Sequence, residues 1–237
     1  MGGVLNALQL KADSAATSCY LPRGVLMNWS WKLAAMGLML TGTACSNLER
    51  SRDLNDPQVS AETTAQQVCS ICHGPGGNSI SPNFPRLAAQ QKEYFVAQLK
   101  GYRSHGRSDP AGYEYMWGLS RNLRDEQVEQ LATYYFAQKA SPNSPGDAVL
   151  SAEGAEIYKN GVPDKKVPAC SACHGTDGQG AGAFPRLAGQ HADYVKKQIT
   201  IFQRTDQRPG GAVMKVIVHD LSARDVEAVA AYVQGLK

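Results

Sequence analysis

The residues best suited to chemistry in this sequence form two copies of one short cysteine motif. Residues 69–74 read CSICHG, and residues 170–175 read CSACHG. In each copy two thiols are followed at once by an imidazole: Cys69, Cys72 and His73, then Cys170, Cys173 and His174. Cys-x-x-Cys-His is the attachment motif of c-type haem, in which the thiols bond to the porphyrin vinyl groups and the histidine becomes an axial iron ligand. The sequence therefore predicts two covalently attached haem c groups.

Other roles for paired cysteines fit this pattern less well. A redox dithiol is typical of a thioredoxin-like βαβ unit, which this sequence lacks. One structural zinc could bind both pairs, but the pairs stand about a hundred residues apart and each is followed by His-Gly. A disulfide inside either pair would be strained. Haem attachment is the interpretation that also accounts for the histidine in both copies.

The sixth ligand of each iron is predicted from the methionines. Four of the six methionines fall in the N-terminal leader: Met1, Met27, Met36 and Met39. The other two, Met116 and Met214, lie 43 and 40 residues after the motif histidines. A lone methionine is most often core packing, but a matched pair in a chain that otherwise avoids methionine favours iron ligation. Thioether sulfur favours ferrous iron and raises the reduction potential relative to two histidine ligands.

The remaining histidines are weaker ligand candidates. His105, His191 and His219 have no counterpart in the other copy of the repeat, and we expect them at the surface. Pro85 and Pro185 lie twelve and eleven residues after the motif histidines. The backbone carbonyl of each proline is a candidate acceptor for the Nδ1–H of the ligating histidine. A simple loop proline fits the same spacing, and the sequence does not separate the two.

An internal repeat positions these residues. Residues 84–88 and 184–188 both read FPRLA, Tyr94 matches Tyr194, and the offset between matched positions stays between 98 and 101. Such ordered matches indicate a tandem duplication. In each copy a serine-capped short helix runs into the motif, a Gly/Pro/Asn-rich loop follows, and two further helices flank the methionine loop. The predicted ranges of those later helices are 90–102 and 125–138, then 190–202 and 223–234. The predicted fold class is all-α.

Domain boundaries follow from the same repeat. The first domain is predicted at residues 58–139 and the second at 150–237, joined by a linker over 140–149 that contains two prolines and a glycine. The second copy carries about ten extra residues, 159–168, before its first cysteine, which we expect to form a surface loop. With 237 residues, of which 43% are hydrophobic, the chain is long enough for two small domains.

Residues 1–44 are predicted to be a leader, and residues 45–57 an N-terminal linker. Residues 31–44 place one lysine before a short apolar run and end on small residues, as in a secretory signal peptide. The run is too short to span a bilayer. Met27 is a candidate initiator, which would make the preceding residues an over-long start; a short disordered extension fits those residues as well. Residues 42–45 read GTAC and partly resemble a lipoprotein cleavage site. Acylation of Cys45, which would anchor the protein to the membrane, is therefore an open alternative.

The charge of the chain disfavours nucleic acid as a partner. Charged residues make up 19% of the chain and the formal net charge is +3, without a cluster of basic side chains. This pattern disfavours binding to nucleic acid.

Taken together, these features resemble the cytochrome c4 family. Each motif is followed by Phe-Pro-Arg-Leu-Ala-x-Gln and a late methionine, and residues 167–175 and 184–191 are especially similar to the second domain of that family. The resemblance covers residue 58 to the end. It implies two tandem class I cytochrome c domains, each a small helical fold around one covalent haem c, with the two haems near each other. It also implies haem attachment by the motif cysteines, proximal ligation by the motif histidines, and distal ligation by Met116 and Met214.

The resemblance further implies a function. The expected protein is a periplasmic one-electron carrier of a respiratory chain, which passes electrons from a redox protein donor to a terminal oxidase or a similar acceptor. With both irons six-coordinate neither offers a substrate site, so no catalytic residue is assigned. Two alternatives stay open. One is a dihaem oxidoreductase of the thiosulfate dehydrogenase or peroxidase kind, and the other is a cytochrome subunit fixed to a dehydrogenase or oxidase complex.

Overall fold

The computed structural model describes residues 54–110, 112–141 and 145–237. The leader at 1–44, the candidate start at Met27, Cys45, most of the N-terminal linker and the centre of the linker between the repeats lie outside the described residues. Within the described ranges there is no β-strand, only two isolated bridges between backbone segments. The predicted all-α fold is confirmed. None of the helices in these ranges is both long enough and apolar enough to cross a membrane.

Both repeats are built from short helices. In repeat 1 the α-helices are α1 (Ala61–Thr64), α2 (Ser70–His73), α3 (Lys92–Arg103), α4 (Trp117–Ser120) and α5 (Asp125–Phe136). In repeat 2 they are α6 (Ala148–Asn160), α7 (Ser171–His174), α8 (Ala192–Arg204), α9 (Ala212–Val218) and α10 (Ala223–Gly235). The two later helices of each repeat lie within a few residues of their predicted ranges.

The first helical segment of repeat 1 runs directly into the cysteine motif. Ser60 caps α1, since its side-chain oxygen accepts a hydrogen bond from the backbone N–H of Thr63 at 3.0 Å. The chain then widens into a π-helical turn, Ala65–Cys69, and returns to α-helix in α2. His73 is the last residue of α2. The serine cap predicted for this copy is therefore present, and one continuous helical path carries both thiols and the imidazole.

Repeat 2 reaches its motif differently. Asp147 caps α6 by accepting a hydrogen bond from the backbone N–H of Leu150 at 2.9 Å, and Ser151 lies inside the helix. The serine cap predicted for this copy is wrong, because a carboxylate four residues earlier already satisfies the first turn. Helix α6 ends at Asn160 instead of running into the motif. The inserted residues form a one-turn 3₁₀ helix and an antiparallel bridge between Val162 and Val167 that lead the chain back.

The hydrophobic core of repeat 1 forms where α5 crosses α3. Val128, Leu131 and Tyr135 lie three and four residues apart on α5, so they share one face of the helix. They are at most 2% exposed and belong to one apolar cluster with Phe95 and Leu99 of α3. Repeat 2 forms an equivalent cluster from α6, α8 and α10. Each repeat therefore has a core of its own.

The last helix of repeat 2 is fixed at its start and along its length. Ser222 and Asp225 form a capping box, each side chain accepting a hydrogen bond from the backbone of the other. This is the N-terminal cap that the sequence predicts. Further along, α10 approaches α6 so closely that a Cβ on Gly154 would lie 2.0 Å from the carbonyl oxygen of Ala228. The contact between the two helices therefore requires glycine at this position.

We predict that Gly154→Ala lowers the free energy of unfolding by at least about 2 kcal/mol, because the added methyl group must push α6 away from α10. Chemical denaturation of the holoprotein checks this. The matched control is Gly118→Ala in α4, where an added Cβ meets nothing within 4 Å. That control should be neutral or slightly stabilising, since alanine favours helix. Equal effects of the two substitutions would contradict the close packing.

Candidate functional site

The motif histidines are oriented by the prolines that follow them. His73 Nδ1 lies 2.8 Å from the backbone oxygen of Pro85, and His174 Nδ1 lies 3.0 Å from that of Pro185. A carbonyl oxygen only accepts, so Nδ1 carries the proton and donates in both cases. The lone pair is thereby placed on Nε2, the atom that a metal would take. Burial lowers the pKa of both histidines, which keeps the rings neutral and able to act as ligands.

A phenylalanine holds each imidazole from a second direction. The Phe84 ring meets the His73 ring edge to face, with centroids 6.3 Å apart. Phe184 does the same to His174 at 6.4 Å. Because each phenylalanine directly precedes its proline, the repeated Phe-Pro pair fixes both the position and the rotation of the ring. The same two-residue device orients the histidine in each repeat.

The motif cysteines are thiols of unequal burial. All four are free of disulfides, and Cys173 is exposed while the other three are partly buried. Burial raises the pKa of Cys69, and it raises the pKa of Cys170 to about 11. In the part of the chain that the structure describes, no three side chains among His, Cys, Asp and Glu gather as a metal ion would require. The four thiols are thus not arranged as a single zinc site.

The structure places each predicted methionine ligand against the same apolar cluster as the first cysteine of its repeat. Met116 is the last residue of a π-helical turn, Gly112–Met116, and packs on the repeat 1 core together with Cys69. Met214 lies in α9 and packs on the repeat 2 core together with Cys170. Both methionines are partly buried. Thiol, imidazole and thioether groups are therefore supplied to each repeat from its own elements.

Each repeat also buries one tyrosine near its motif, which sequence reasoning missed. The hydroxyl of Tyr158 in α6 donates to the backbone oxygen of Gly175 at 2.7 Å. In repeat 1 the corresponding ring is Tyr135 in α5, which leaves room only for glycine at position 77, where a Cβ would lie 2.8 Å from the ring. The two tyrosines come from helices that are not equivalent in the repeat. For that reason the internal alignment did not pair them.

The surroundings of the motifs fit a haem group. Arg86 and Arg186 directly follow the two histidine-orienting prolines, and burial lowers the pKa of both guanidinium groups. Within the described residues, the buried Nε of Arg186 has no hydrogen-bond partner. A propionate carboxylate of a haem would satisfy such a donor, since a buried unpaired donor is costly. Two thiols, a neutral imidazole, a thioether and a cationic donor form a set that suits haem c.

Two glutamines join the sites across the interface between the repeats. The side-chain oxygen of Gln190 accepts from the backbone N–H of Arg86 at 2.9 Å, and its nitrogen donates to the oxygen of Arg86 at 3.0 Å. Gln90 binds Arg186 in the same way at 2.8 and 3.1 Å. Each repeat thus clamps the residue that follows the histidine-orienting proline of the other. The repeated Gln of the FPRLA-x-Q segment was the sequence signal for this contact.

The residue directly after each of these glutamines also forms a hydrogen bond across the interface. His191 Nε2 donates to the backbone oxygen of Ser79 at 2.9 Å, and the Gln91 side-chain nitrogen donates to that of Gln179 at 2.8 Å. The expectation that His191 lies at the surface is wrong, because it is only 8% exposed. His105 and His219 are exposed, as expected. The docking of one repeat on the other buries His191, and no periodicity within a repeat indicates that contact.

Comparison with known proteins agrees with this geometry. The family model described as cytochrome c matches residues 60–135 and 151–237. Cytochrome c4 of Thiocapsa roseopersicina is 39% identical over 188 residues, which cover 77% of this chain and 94% of that protein. The crystal structure of reduced recombinant cytochrome c4 from Pseudomonas stutzeri superposes with a TM-score of 0.69 at 34% identity, covering 75% of this chain and 97% of that one.

A further relative carries a more specific name. A thiosulfate dehydrogenase electron acceptor of Stutzerimonas stutzeri (strain A1501) is 34% identical over 173 residues, which cover 71% of this chain and 78% of that protein.

The burial of His191 predicts a dependence of stability on pH. Burial, followed by the nearby positive charge of Arg86, lowers the pKa of His191 in the folded protein. The unfolded chain therefore binds a proton more readily, and stability is lost as the pH falls below the ordinary histidine value of about 6.5. We predict that His191→Gln, which installs the residue found at position 91, flattens this part of the profile.

Chemical denaturation of the holoprotein on both sides of that pH measures the effect. The control His219→Gln changes an exposed histidine and should leave the wild-type profile intact. If the His191 and His219 variants kept the same pH dependence as the wild type, the buried histidine would not be its source.

Proposed function

The chain belongs to the cytochrome c4 family, and we propose that it carries single electrons through the periplasm from a redox protein donor to a terminal oxidase or a similar acceptor. It is a dihaem c-type cytochrome with two covalently bound haem c groups, and it works in electron transfer. The observation that carries the proposal is a duplicated arrangement: a histidine whose Nδ1 donates to a proline carbonyl, and a methionine that packs on the apolar core of the same repeat.

The proposed roles of the residues follow their positions. Cys69 and Cys72 attach the haem of repeat 1, and Cys170 and Cys173 attach that of repeat 2. His73 and His174 are the proximal ligands, and Met116 and Met214 the distal ones. When bound, each haem supplies an iron that gains or loses one electron without bonding a substrate.

The protein residues then serve to hold geometry and exclude water. The hydrogen bonds that the histidine Nδ1–H groups donate to the proline carbonyls fix the tautomer and orientation of each ring, so neither ring has to turn when the charge of the iron changes. The packing of both methionines on apolar cores would hold each thioether in place as a ligand and exclude water from it. The glutamine clamps between Gln90 and Arg186, and between Gln190 and Arg86, hold the two sites at a fixed separation. We infer that electrons enter at one repeat, cross this interface and leave from the other.

The proposed location rests on the N-terminal segment and the family. A leader before residue 45 would direct the chain to the periplasm, where cytochromes with covalent haem are matured. Acylation of Cys45 would tether the protein to the membrane, and a fixed complex with a dehydrogenase or oxidase would have the same effect. Phase separation in detergent distinguishes a lipid anchor from a soluble carrier, and substitution of Cys45 by serine should abolish any anchoring that acylation causes.

A thiosulfate dehydrogenase is a second candidate for the electron donor. It is favoured by the relative that is named as an electron acceptor of such an enzyme and is 34% identical. In this version the chain accepts electrons and does not itself oxidise thiosulfate. Mixing the oxidised holoprotein with thiosulfate alone, and then with thiosulfate and a thiosulfate dehydrogenase, separates the two roles. Reduction by thiosulfate alone would instead favour the enzyme reading.

The carrier function is tested by an intact mass and an optical redox titration of the purified holoprotein. We predict a mass increase equal to two haems and two one-electron steps, each reversible, with no steady consumption of thiosulfate or peroxide. The visible spectrum follows both steps. One haem per chain, or turnover of peroxide at a rate typical of enzymes, about 1 per second or faster, would contradict the proposal.

The proposed ligands predict a site-selective change in potential. Met214→Ala should lower the reduction potential of the haem in repeat 2 and leave that of repeat 1 nearly unchanged, because thioether sulfur favours ferrous iron. Met116→Ala is the matched variant, with the roles of the two haems exchanged. The same titration measures both. Equal shifts of both haems in either variant would contradict the assigned ligands.

A further inference from the structure

A buried polar network lies at the interface between the repeats and contains two arginines. Arg107 and Arg208 are only 7% and 9% exposed. Both bind the side-chain oxygen of Gln98, at 2.8 and 3.0 Å, and both bind that of Gln198, at 3.3 and 2.5 Å. The two guanidinium groups are therefore held side by side. We call these residues, together with Asp109, the interface network.

Most of the interface network is symmetric between the repeats. Arg107 lies over the ring of Tyr102 at 4.4 Å, and Arg208 over the ring of Phe202 at 4.5 Å. The Gln98 and Gln198 positions are exactly one hundred residues apart, as are those of the two rings. Aromatic faces and amide oxygens stabilise cations in both halves. A fully symmetric network would place the same charge in both repeats.

Asp109 breaks this symmetry. It is 0% exposed, and its carboxylate accepts hydrogen bonds from Arg107 at 2.6 and 3.3 Å. Repeat 2 has no acidic residue at the corresponding place, where Arg208 is followed by Pro209, Gly210 and a second glycine. Arg107 is therefore paired with a carboxylate. Among the residues that the structure describes, Arg208 is held by neutral partners alone: Gln98, Gln198, Tyr94 and the Phe202 ring.

The interface network therefore carries a net positive charge that is distributed unequally between the two repeats. Two guanidinium groups face one carboxylate, and burial raises the pKa of the adjacent Tyr102, so its hydroxyl adds no charge. Because the side chains are buried, water and salt screen their field weakly. A buried cation favours the haem that has gained an electron, and a buried anion favours the oxidised haem. The carboxylate therefore opposes reduction in the half of the molecule where it lies.

Asp109 is also tied directly to the segment that carries the proposed ligand of repeat 1. Its backbone oxygen accepts a hydrogen bond from the backbone N–H of Tyr113 at 3.0 Å, inside the π-helical turn that ends at Met116. In repeat 2 the backbone oxygen of Arg208 accepts from Gly211, just before the helix that carries Met214. The two methionine segments are thus anchored next to opposite charges, a carboxylate in repeat 1 and a guanidinium in repeat 2.

We propose that Asp109 sets the two haems at different reduction potentials by lowering that of the haem in repeat 1. The inference rests on the proposed ligation of the two irons by histidine and methionine. Among the described residues, the Asp109 carboxylate is hydrogen-bonded to Arg107 and to neither His73 nor Met116. It acts as a positioning and tuning residue through its charge and through Arg107.

The test is Asp109→Asn in the holoprotein, which keeps the size of the side chain and removes its charge. The potentials are measured by redox titration while each haem is followed by its own NMR resonances, assigned with Met116→Ala and Met214→Ala. In the haem of repeat 1, the ratio of reduced to oxidised iron at a fixed solution potential should rise on the order of tenfold. For a one-electron couple that is about 59 mV. The haem of repeat 2 should rise less.

Two controls separate charge from packing. Asp125→Asn removes a carboxylate of the same repeat that is 66% exposed and paired with Arg103, so solvent screening should leave both potentials nearly unchanged. Asp109→Glu keeps the charge and alters the packing, so both haems of this variant should have potentials close to those of the wild type. Arg107→Gln removes a cation from the same network and should lower the potential of the haem in repeat 1, opposite to Asp109→Asn.

Several results would overturn the proposal: no shift in Asp109→Asn, a larger shift in the haem of repeat 2, or shifts of the same sign in Asp109→Asn and Arg107→Gln. If asparagine displaced the methionine turn, the charge-transfer band of methionine-ligated ferric haem would be lost. The potentials of Asp109→Glu and Arg107→Gln would then decide whether charge sets the difference. Failure of the proposed ligation is recognised separately, since that band would already be missing from the wild type.

Discussion

The hydrogen bond from each histidine Nδ1 to a proline carbonyl is the contact on which the rest of this structure depends. It fixes which nitrogen can bind iron and in which direction that nitrogen points. The helical segment before the histidine, the loop that returns as Phe-Pro, and the glycine-rich turns between them all serve to bring those two atoms to 2.8 Å in repeat 1 and 3.0 Å in repeat 2. Without this contact the imidazole proposed as the iron ligand of each repeat would be free to turn.

The interface between the repeats extends that control from one site to two. Gln90 and Gln190 bind the residue directly after each histidine-orienting proline in the other repeat. The backbone that orients one histidine is therefore part of the interface that fixes the other. This symmetry follows from the duplication of one domain. Residues that depart from it, such as Asp109, allow the two halves to differ in reduction potential.

Features that depend on residues close together in the sequence could be predicted, whereas contacts between the two repeats could not. Local chemistry was predictable: the cysteine motifs indicated haem c, and Ser222 with Asp225 indicated the start of the last helix. Asp147 is the cap of α6 although Ser151 corresponds to the cap of α1, because the helix begins a turn earlier in repeat 2. Contacts between the repeats could not be predicted from periodicity, since His191 is buried and Arg107 meets Gln198 only after the two domains dock. The matched spacing of Gln98 with Gln198, and of Arg107 with Arg208, was the signal available for that interface.

The central claim is that each repeat closes both axial positions of its own iron with one histidine and one methionine. The most direct test is the near-infrared spectrum of the fully oxidised holoprotein, with the intensity of the methionine-to-ferric-iron charge-transfer band divided by the measured haem content. The account predicts the intensity expected for methionine ligation at both irons in every chain. Half of that intensity, or none, would show that at least one iron is not held by histidine and methionine and would contradict it.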